Sequence, residues 1–232
     1  MKITKYIPNT ITSLSLVCGC ISCVMAFKGY ILYATLWIIM GAVFDFFDGF
    51  AARMLNAFST IGKDLDSLAD LVSFGVAPGM ILFCLLNQAA PSLPLGGVNE
   101  YIPYLAFIIP VFSALRLAKF NNDTRQTTSF IGLPVPAHAL FLSSAAYSVQ
   151  PVIQNNPSLF VVLAIIIFSI TSFLLVSEIP MFSLKIKSLS WKGNELRYIL
   201  VGCSIVFLLV FGLLGLAGAI LLYIILSIFN KK

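Results

Sequence analysis

The feature that most constrains this chain is a succession of apolar runs, each long enough to cross a membrane, separated by short polar or basic segments. A helix of about 20 residues spans the hydrocarbon layer and satisfies its own backbone hydrogen bonds there. The runs lack the polar–apolar alternation of a membrane β-barrel, so helices are expected. Composition agrees. The chain is 59% hydrophobic and 10% charged, against about 25% charged in soluble domains. The expected fold class is all-α: a polytopic membrane helical bundle of about eight transmembrane helices, forming one domain over residues 1–232.

Six spans are expected at residues 11–27, 31–55, 65–86, 101–117, 135–149 and 158–177, giving a six-span core over 1–177. Asn9, within Pro8-Asn9-Thr10, reads as the cap of the first span. Residues 56–62 read as a polar break, 88–100 as an exposed Pro/Gly loop and 150–157 as a turn. Residues 116–136, overlapping the neighbouring span ends, read as a polar, basic connector. Residues 178–232 read as a second basic connector, with Trp191 placed as an interfacial anchor, and a C-terminal two-span hairpin. The last apolar stretch, 198–229, is long for one span and short for two. Gly212, Gly215 and Gly218 in its middle suit a tight turn or close helix packing.

Charge decides for eight spans. With the N-terminus inside, every basic residue except Lys28 falls on the cytoplasmic side, as the positive-inside rule asks. Seven spans would move Lys231 and Lys232 outside. The net charge of +5 therefore reads as topology, and no nucleic-acid partner is expected. The first apolar run, with Val17-Cys18-Gly19-Cys20, faintly suggests a processed leader. No soluble domain follows it, so it reads as an uncleaved span. The five cysteines read as small buried residues.

Of nine acidic residues, five crowd into residues 45–70: Asp45, Asp48, Asp64, Asp66 and Asp70. Asp45 and Asp48 share a helix face, as do Asp66 and Asp70. The break between them lets the two helices return alongside each other, so four carboxylates converge. Asp64 falls off that face and reads as solvated. A carboxylate in the middle of a span costs roughly 2.5–3.5 kcal/mol on insertion scales, and Arg53 alone cannot neutralise four. Either some are protonated or metal ions bind. Carboxylate oxygens suit Mg²⁺, Mn²⁺ or Ca²⁺, and no His/Cys cluster favours zinc. Gly49, Ala52 and Gly62 on the same faces either leave room for a ligand or pack helices. Carboxylates, space and one Arg together suit a phosphate-rich ligand held through divalent metal.

The pattern Asp45-x₂-Asp48-Gly49-x₂-Ala52-Arg53-x₈-Gly62-x₃-Asp66-x₃-Asp70 resembles the signature of the CDP-alcohol phosphotransferase family, with every defined position filled. Ser73-Phe74-Gly75-Val76-Ala77-Pro78, Arg116-Leu117-Ala118-Lys119-Phe120-Asn121 and Phe130-Ile131-Gly132-Leu133-Pro134-x-Pro136 are similar to its bacterial and archaeal phosphatidylserine synthase branch. Ser15 departs from the pattern, standing where an Asn is expected. The resemblance implies a homodimeric cell-membrane enzyme with a six-helix core, and the charge bias places its acidic motif, and so its active site, on the cytoplasmic side. The resemblance also implies transfer of a phosphatidyl group from CDP-diacylglycerol to an acceptor alcohol with release of CMP, the branch implying L-serine. It further implies that Asp45, Asp48, Asp66 and Asp70 hold two divalent ions, Mg²⁺ or Mn²⁺. Asp48, Gly49, Ala52, Arg53, Gly62 and Asp66 would bind the CDP-lipid, and Asp70 would be the catalytic base.

Arg116 and Asn121 are candidates for acceptor binding, with Lys119 and Arg125 beside them; the competing reading is plain topology. Lys185, Lys187 and Lys192 could attract anionic headgroups. His138, the single histidine, reads as structural. Glycerol 3-phosphate or inositol remains an alternative acceptor. An ion-coupled transporter is a more distant alternative, disfavoured because the carboxylates cluster at one membrane edge and no inverted repeat is evident. A structural scaffold leaves the cluster unexplained.

Overall fold

The computed structural model describes residues 6–57, 59–123, 130–182, 191 and 194–229. Two helices, α1 (Tyr6–Phe27) and α2 (Ile31–Leu55), form a pair joined by a turn at Gly29. Asn9 lies inside α1 and is not its cap: the helix is already formed at Tyr6, so the side chain is free for another use. α2 stops at Asn56, a left-handed residue (φ 47°) whose N–H closes on the carbonyls of Ala52 and Arg53. Ser59 then caps α3 (Thr60–Asp70), accepting the Gly62 N–H at 3.0 Å.

α3 does not end at Asp70. It widens into a π-helical turn, Leu71–Val76, and continues as α4 (Ala77–Ala89). Small residues allow this turn to be gripped closely. A Cβ on Gly19 would lie 2.6 Å from the Ser73 Cα, and one on Gly75 would lie 3.0 Å from the Ser113 Cβ. The Ser73 hydroxyl donates to the Ser15 carbonyl (2.8 Å), and the Ser15 hydroxyl donates to the Gly41 carbonyl (3.0 Å). Ser15 thus ties three helical segments together. Such small-residue and hydroxyl contacts are how helices associate in lipid, where apolar burial alone gives little drive.

The stretch 88–100 is mostly helical, contrary to the expected loop. After α4 come one 3₁₀ turn (Ala90–Ser92) and a long 3₁₀ helix (Gly96–Phe107) leading into α5 (Ile108–Asn122). Pro91 sits in the first turn of its short helix, where a missing N–H costs nothing, and Asn99 Nδ2 closes the remaining gap onto the Leu93 carbonyl at 2.7 Å. α5 also overruns the expected end at 117, so Arg116, Lys119 and Asn121 are helical.

α6 (Val135–Ser148) and α8 (Pro157–Val176) fall where expected. A short α7 (Gln150–Asn155) replaces the expected turn, again with a proline in its first turn. β1 (Phe130–Ile131) and β2 (Pro180–Met181) pair antiparallel and join the two polar connectors, a link the sequence did not suggest. At the C-terminal end, α9 (Glu195–Phe211) and α10 (Leu213–Phe229) pack on each other around Gly212, whose φ of 57° and ψ of −132° favour glycine. A side chain at Gly215 would run into the backbone of Phe207. Turn and close packing are therefore both present.

The protein is an all-α, multi-pass membrane protein. Among the described residues five helical stretches are long and apolar enough to cross a bilayer: Tyr6–Phe27, Ile31–Leu55, Thr60–Ser92, Gly96–Asn122 and Pro157–Val176. α6, α9 and α10 are shorter, at 14, 17 and 17 residues. The core centres on the π-turn and α4, with Phe74, Ile81, Leu85 and Leu86 buried among residues of α2, α5, α6 and α8 such as Ile38, Ile109, Leu142 and Phe168.

Candidate active site

The two acidic helices are not packed side by side. α2 and α3 both rest on α1 and make at most marginal contact with each other. The space left between them is a cavity of about 220 Å³, lined by Pro8, Asn9 and Thr12 of α1, by Asp48, Gly49 and Ala52 of α2, and by Ala57, Ser59, Gly62, Lys63 and Asp66. The expected convergence of carboxylates holds, but across a gap wide enough to admit a ligand.

Asp45, Asp48 and Asp66 each place an oxygen within 4.8 Å of the others. Asp70 lies one turn beyond Asp66, within hydrogen-bond reach of Asp45 and close enough to interact electrostatically with Asp66 and Asp48. Asp64 is exposed and apart from the set. Asp48 is buried, and its Oδ2 has no hydrogen-bond partner among the described residues. Thr12 is within hydrogen-bond reach of the same carboxylate. A buried oxygen without a donor, facing two further carboxylates, is costly by itself and matches the hard-oxygen donor set of Mg²⁺ or Mn²⁺. The residues present therefore fit a divalent metal.

The cavity gathers five of the six expected CDP-lipid residues: Asp48, Gly49, Ala52, Gly62 and Asp66. Arg53 is exposed and is not part of the lining. Its guanidinium folds back over Gly49, with Nη1 3.4 Å from the position a Cβ there would take. At Gly62 a Cβ would lie 2.9 Å from the Ser59 Oγ and 3.0 Å from the Asn9 Oδ1, so the glycine keeps the cavity open. Asn9, Thr12, Ser59 and Lys63 were missed by sequence reasoning. The available signal was Asn9 and Thr12 three apart at the start of an apolar run, polar on one face.

Arg116 is only 5% exposed. Its guanidinium carbon sits 4.6 Å from the Phe120 ring centre, and its electrostatic neighbours are Asp70 and Tyr223. Its Nε has no hydrogen-bond partner among the described residues. Asn121 is placed differently. Its Nδ2 donates to the Ser67 Oγ at 2.8 Å, and its carbonyl accepts Lys63 Nζ at 3.1 Å. It joins α5 to α3 beside Asp66. Lys119 pairs with Glu178 and donates to the Val176 carbonyl. Arg125, Lys185, Lys187 and Lys192 lie outside the described residues. His138 is fully buried, with Nε2 3.0 Å from Thr171 Oγ1, so it joins α6 to α8.

The helical bundle holds a carboxylate-lined, glycine-floored cavity between its second and third helical segments, with a donor set for divalent metal and so for a phosphate-rich ligand. The chain belongs to the CDP-alcohol phosphatidyltransferase family, whose pattern it matches over residues 5–229. Among curated proteins it is similar to the CDP-diacylglycerol–serine O-phosphatidyltransferase of Bacillus subtilis (strain 168), 38% identical over 149 residues, which cover 64% of this chain and 80% of that one. The enzyme of the same name from Helicobacter pylori (strain J99) is 35% identical over 137 residues, 58% of this chain and 54% of its own length. The archaetidylserine synthase of Methanothermobacter thermautotrophicus is 32% identical over 148 residues, 62% of this chain and 59% of its own length.

Proposed function

We propose that this protein transfers the phosphatidyl group of CDP-diacylglycerol to the hydroxyl of L-serine, giving phosphatidylserine and CMP. The observation that carries this reading is the joining of the signature residues on one cavity, Asp48, Gly49, Ala52, Gly62 and Asp66, with Asp70 interacting with Asp66 and with Arg116. The relatives' names support serine as acceptor.

Asp45, Asp48, Asp66 and Asp70 would hold two divalent ions, Mg²⁺ or Mn²⁺, which supply charge to offset the diphosphate and the departing CMP oxygen. The cytidine and its phosphate occupy the cavity, where Gly49, Ala52 and Gly62 allow close approach and Asn9, Thr12 and Ser59 offer hydrogen bonds. Arg53, at the cavity edge, balances phosphate charge. A separate apolar groove of about 480 Å³, lined by Ile11, Phe44, Phe47, Phe50, Ala51, Met54 and Leu55, lies on the same two helices.

Arg116 receives the serine carboxylate, a contact suited to a guanidinium. Asp70 takes the serine hydroxyl proton as the oxygen attacks the phosphorus that bears the diacylglycerol. The bond from that phosphorus to the bridging oxygen breaks, and the electron pair leaves with CMP. The enzyme acts as a homodimer in the cell membrane, with its N-terminus and active site on the cytoplasmic side, where basic residues neighbour the motif.

The test is CMP release by purified protein in detergent with CDP-diacylglycerol and Mg²⁺ or Mn²⁺, adding serine, glycerol 3-phosphate or inositol in turn. Metal-dependent release with serine alone is expected. Release with another acceptor keeps the chemistry and overturns the choice of serine; no release from folded protein overturns the enzyme reading.

A further inference from the structure

One residue of the cavity lining has no part in the chemistry proposed so far. Among the described residues of that lining, Lys63 is the only cation, in a wall that also carries Asp48 and Asp66. Its charge is committed to no carboxylate among the described residues.

Lys63 falls on the edge of α3 between two faces. Gly62 and Asp66, one before it and three after it, line the cavity with it. Ser67, four after it, meets α5 by accepting the Asn121 side-chain amide at 2.8 Å. The Lys63 ammonium reaches the same place, where Nζ donates to the main-chain carbonyl of Asn121 at 3.1 Å. That carbonyl belongs to the last turn of α5, which ends at Asn122, so no N–H of its own helix bonds it. Capping α5 does not require a lysine, because water can bond a carbonyl at an exposed helix end. What the bond does is fix a long side chain at the cavity wall. One of its three N–H groups is used and two are left for a ligand. A lysine ammonium is a point charge suited to phosphate.

Position along α3 selects which phosphate. At about 1.5 Å of rise per residue, Lys63 lies roughly 10 Å along the axis from Asp70, with Asp66 between them. Asp70 is the proposed base and belongs at the phosphorus under attack. The end of α3 away from it belongs to the part of the donor that leaves. We propose that Lys63 binds the phosphate that departs with the cytidine, and that its bond to the Asn121 carbonyl holds the ammonium at the cavity wall. The proposal rests on the reading of the cavity as the site of the CDP-lipid.

The experiment measures equilibrium binding of CMP to the full-length protein in detergent with Mg²⁺, for wild type, Lys63→Met, Lys63→Arg and Ser67→Ala. Lys63→Met keeps the stem and removes the charge. It should raise the Kd for CMP by about tenfold, the scale of one hydrogen bond to a charged group. Lys63→Arg keeps a cationic donor and should recover most of that loss. Ser67→Ala loosens the same junction of α3 and α5 without removing a charge, and should leave CMP binding within about twofold of wild type. In CMP-release assays Lys63→Met should raise the KM for CDP-diacylglycerol and leave the KM for serine unchanged. Unchanged CMP binding in Lys63→Met overturns the proposal. So does an equal loss in Ser67→Ala, which a role in the junction alone would give. A wild type that binds no CMP overturns the reading of the cavity as the donor site and the role of Lys63 with it, an outcome distinct from wild type and Lys63→Met binding CMP equally.

Discussion

The two walls of the proposed site, one for donor and one for acceptor, are built in opposite ways. The donor wall consists of α1, α2 and α3, close in sequence, and works by short side chains: Gly49, Ala52 and Gly62 leave space and Asp45, Asp48 and Asp66 fill it with oxygen. The proposed acceptor wall relies on a long side chain, Arg116 on α5, with Phe120 against its guanidinium and Asp70 on α3 as its electrostatic neighbour. A wall made of backbone and small residues is rigid and fails abruptly when filled. A wall made of long side chains fails gradually, because each is held by a few separate contacts.

The predictions test that contrast, from the largest effect to the smallest. Asp70, shared by both walls, should be the least replaceable. Asp70→Asn is expected to lower kcat by about 10²–10⁴-fold with CDP-diacylglycerol binding retained, as checked by single-turnover CMP release and lipid-binding titration. On the donor wall, chelation of divalent metal should abolish CMP release, and Mg²⁺ or Mn²⁺ should restore it. Asp48→Asn should raise the metal concentration giving half activity by roughly tenfold or more, read from metal titrations. Gly62→Val should fill the cavity and displace Ser59 and Asn9. Displacements of about an ångström at a site can cost 10²-fold, so kcat/KM for CDP-diacylglycerol should fall by up to that factor. A gradual decline would break the contrast.

On the acceptor wall, Arg116→Lys keeps the charge and loses the planar fork. It should raise the serine KM by about tenfold and leave the KM for CDP-diacylglycerol unchanged. Ser67→Ala removes the acceptor of the Asn121 bond and should lower kcat only about two- to fivefold. If Ser67→Ala raises the serine KM instead, Asn121 belongs to the acceptor site and not to the brace between α5 and α3.

The donor wall was legible because its logic is local. Asp45 with Asp48, and Asp66 with Asp70, are placed by helical periodicity alone, and Gly62 announces space wherever the chain folds. What spacing could not show is that α2 and α3 stand apart on α1, because this depends on how Gly19 and Ser15 seat the helices. The same limit hid Asn9 and Thr12. An Asn before an apolar run reads as a cap unless the helix begins earlier, as it does at Tyr6. Pro91 and Gly96 read as loop because their propensity is for turns, whereas first-turn positions and 3₁₀ geometry tolerate both. The acceptor wall was hardest to read. Arg116 was visible as a residue. Its neighbours come from segments over a hundred residues apart in the case of Tyr223, and the β1–β2 pair that brings the connectors together is too short to leave a periodic signal.

The π-helical turn at Leu71–Val76 has a consequence for phase. An α-helix advances about 100° per residue, so a turn that takes in one more residue rotates everything after it by that angle without breaking the rod. The stretch Thr60–Ala89 is thereby one mechanical element with two orientations: its first half aims Gly62 and Asp66 at the cavity, and its second aims Ala77, Ile81 and Leu85 at the core. Removing a single residue from the turn would leave a regular helix in which only one half could be aimed correctly at a time.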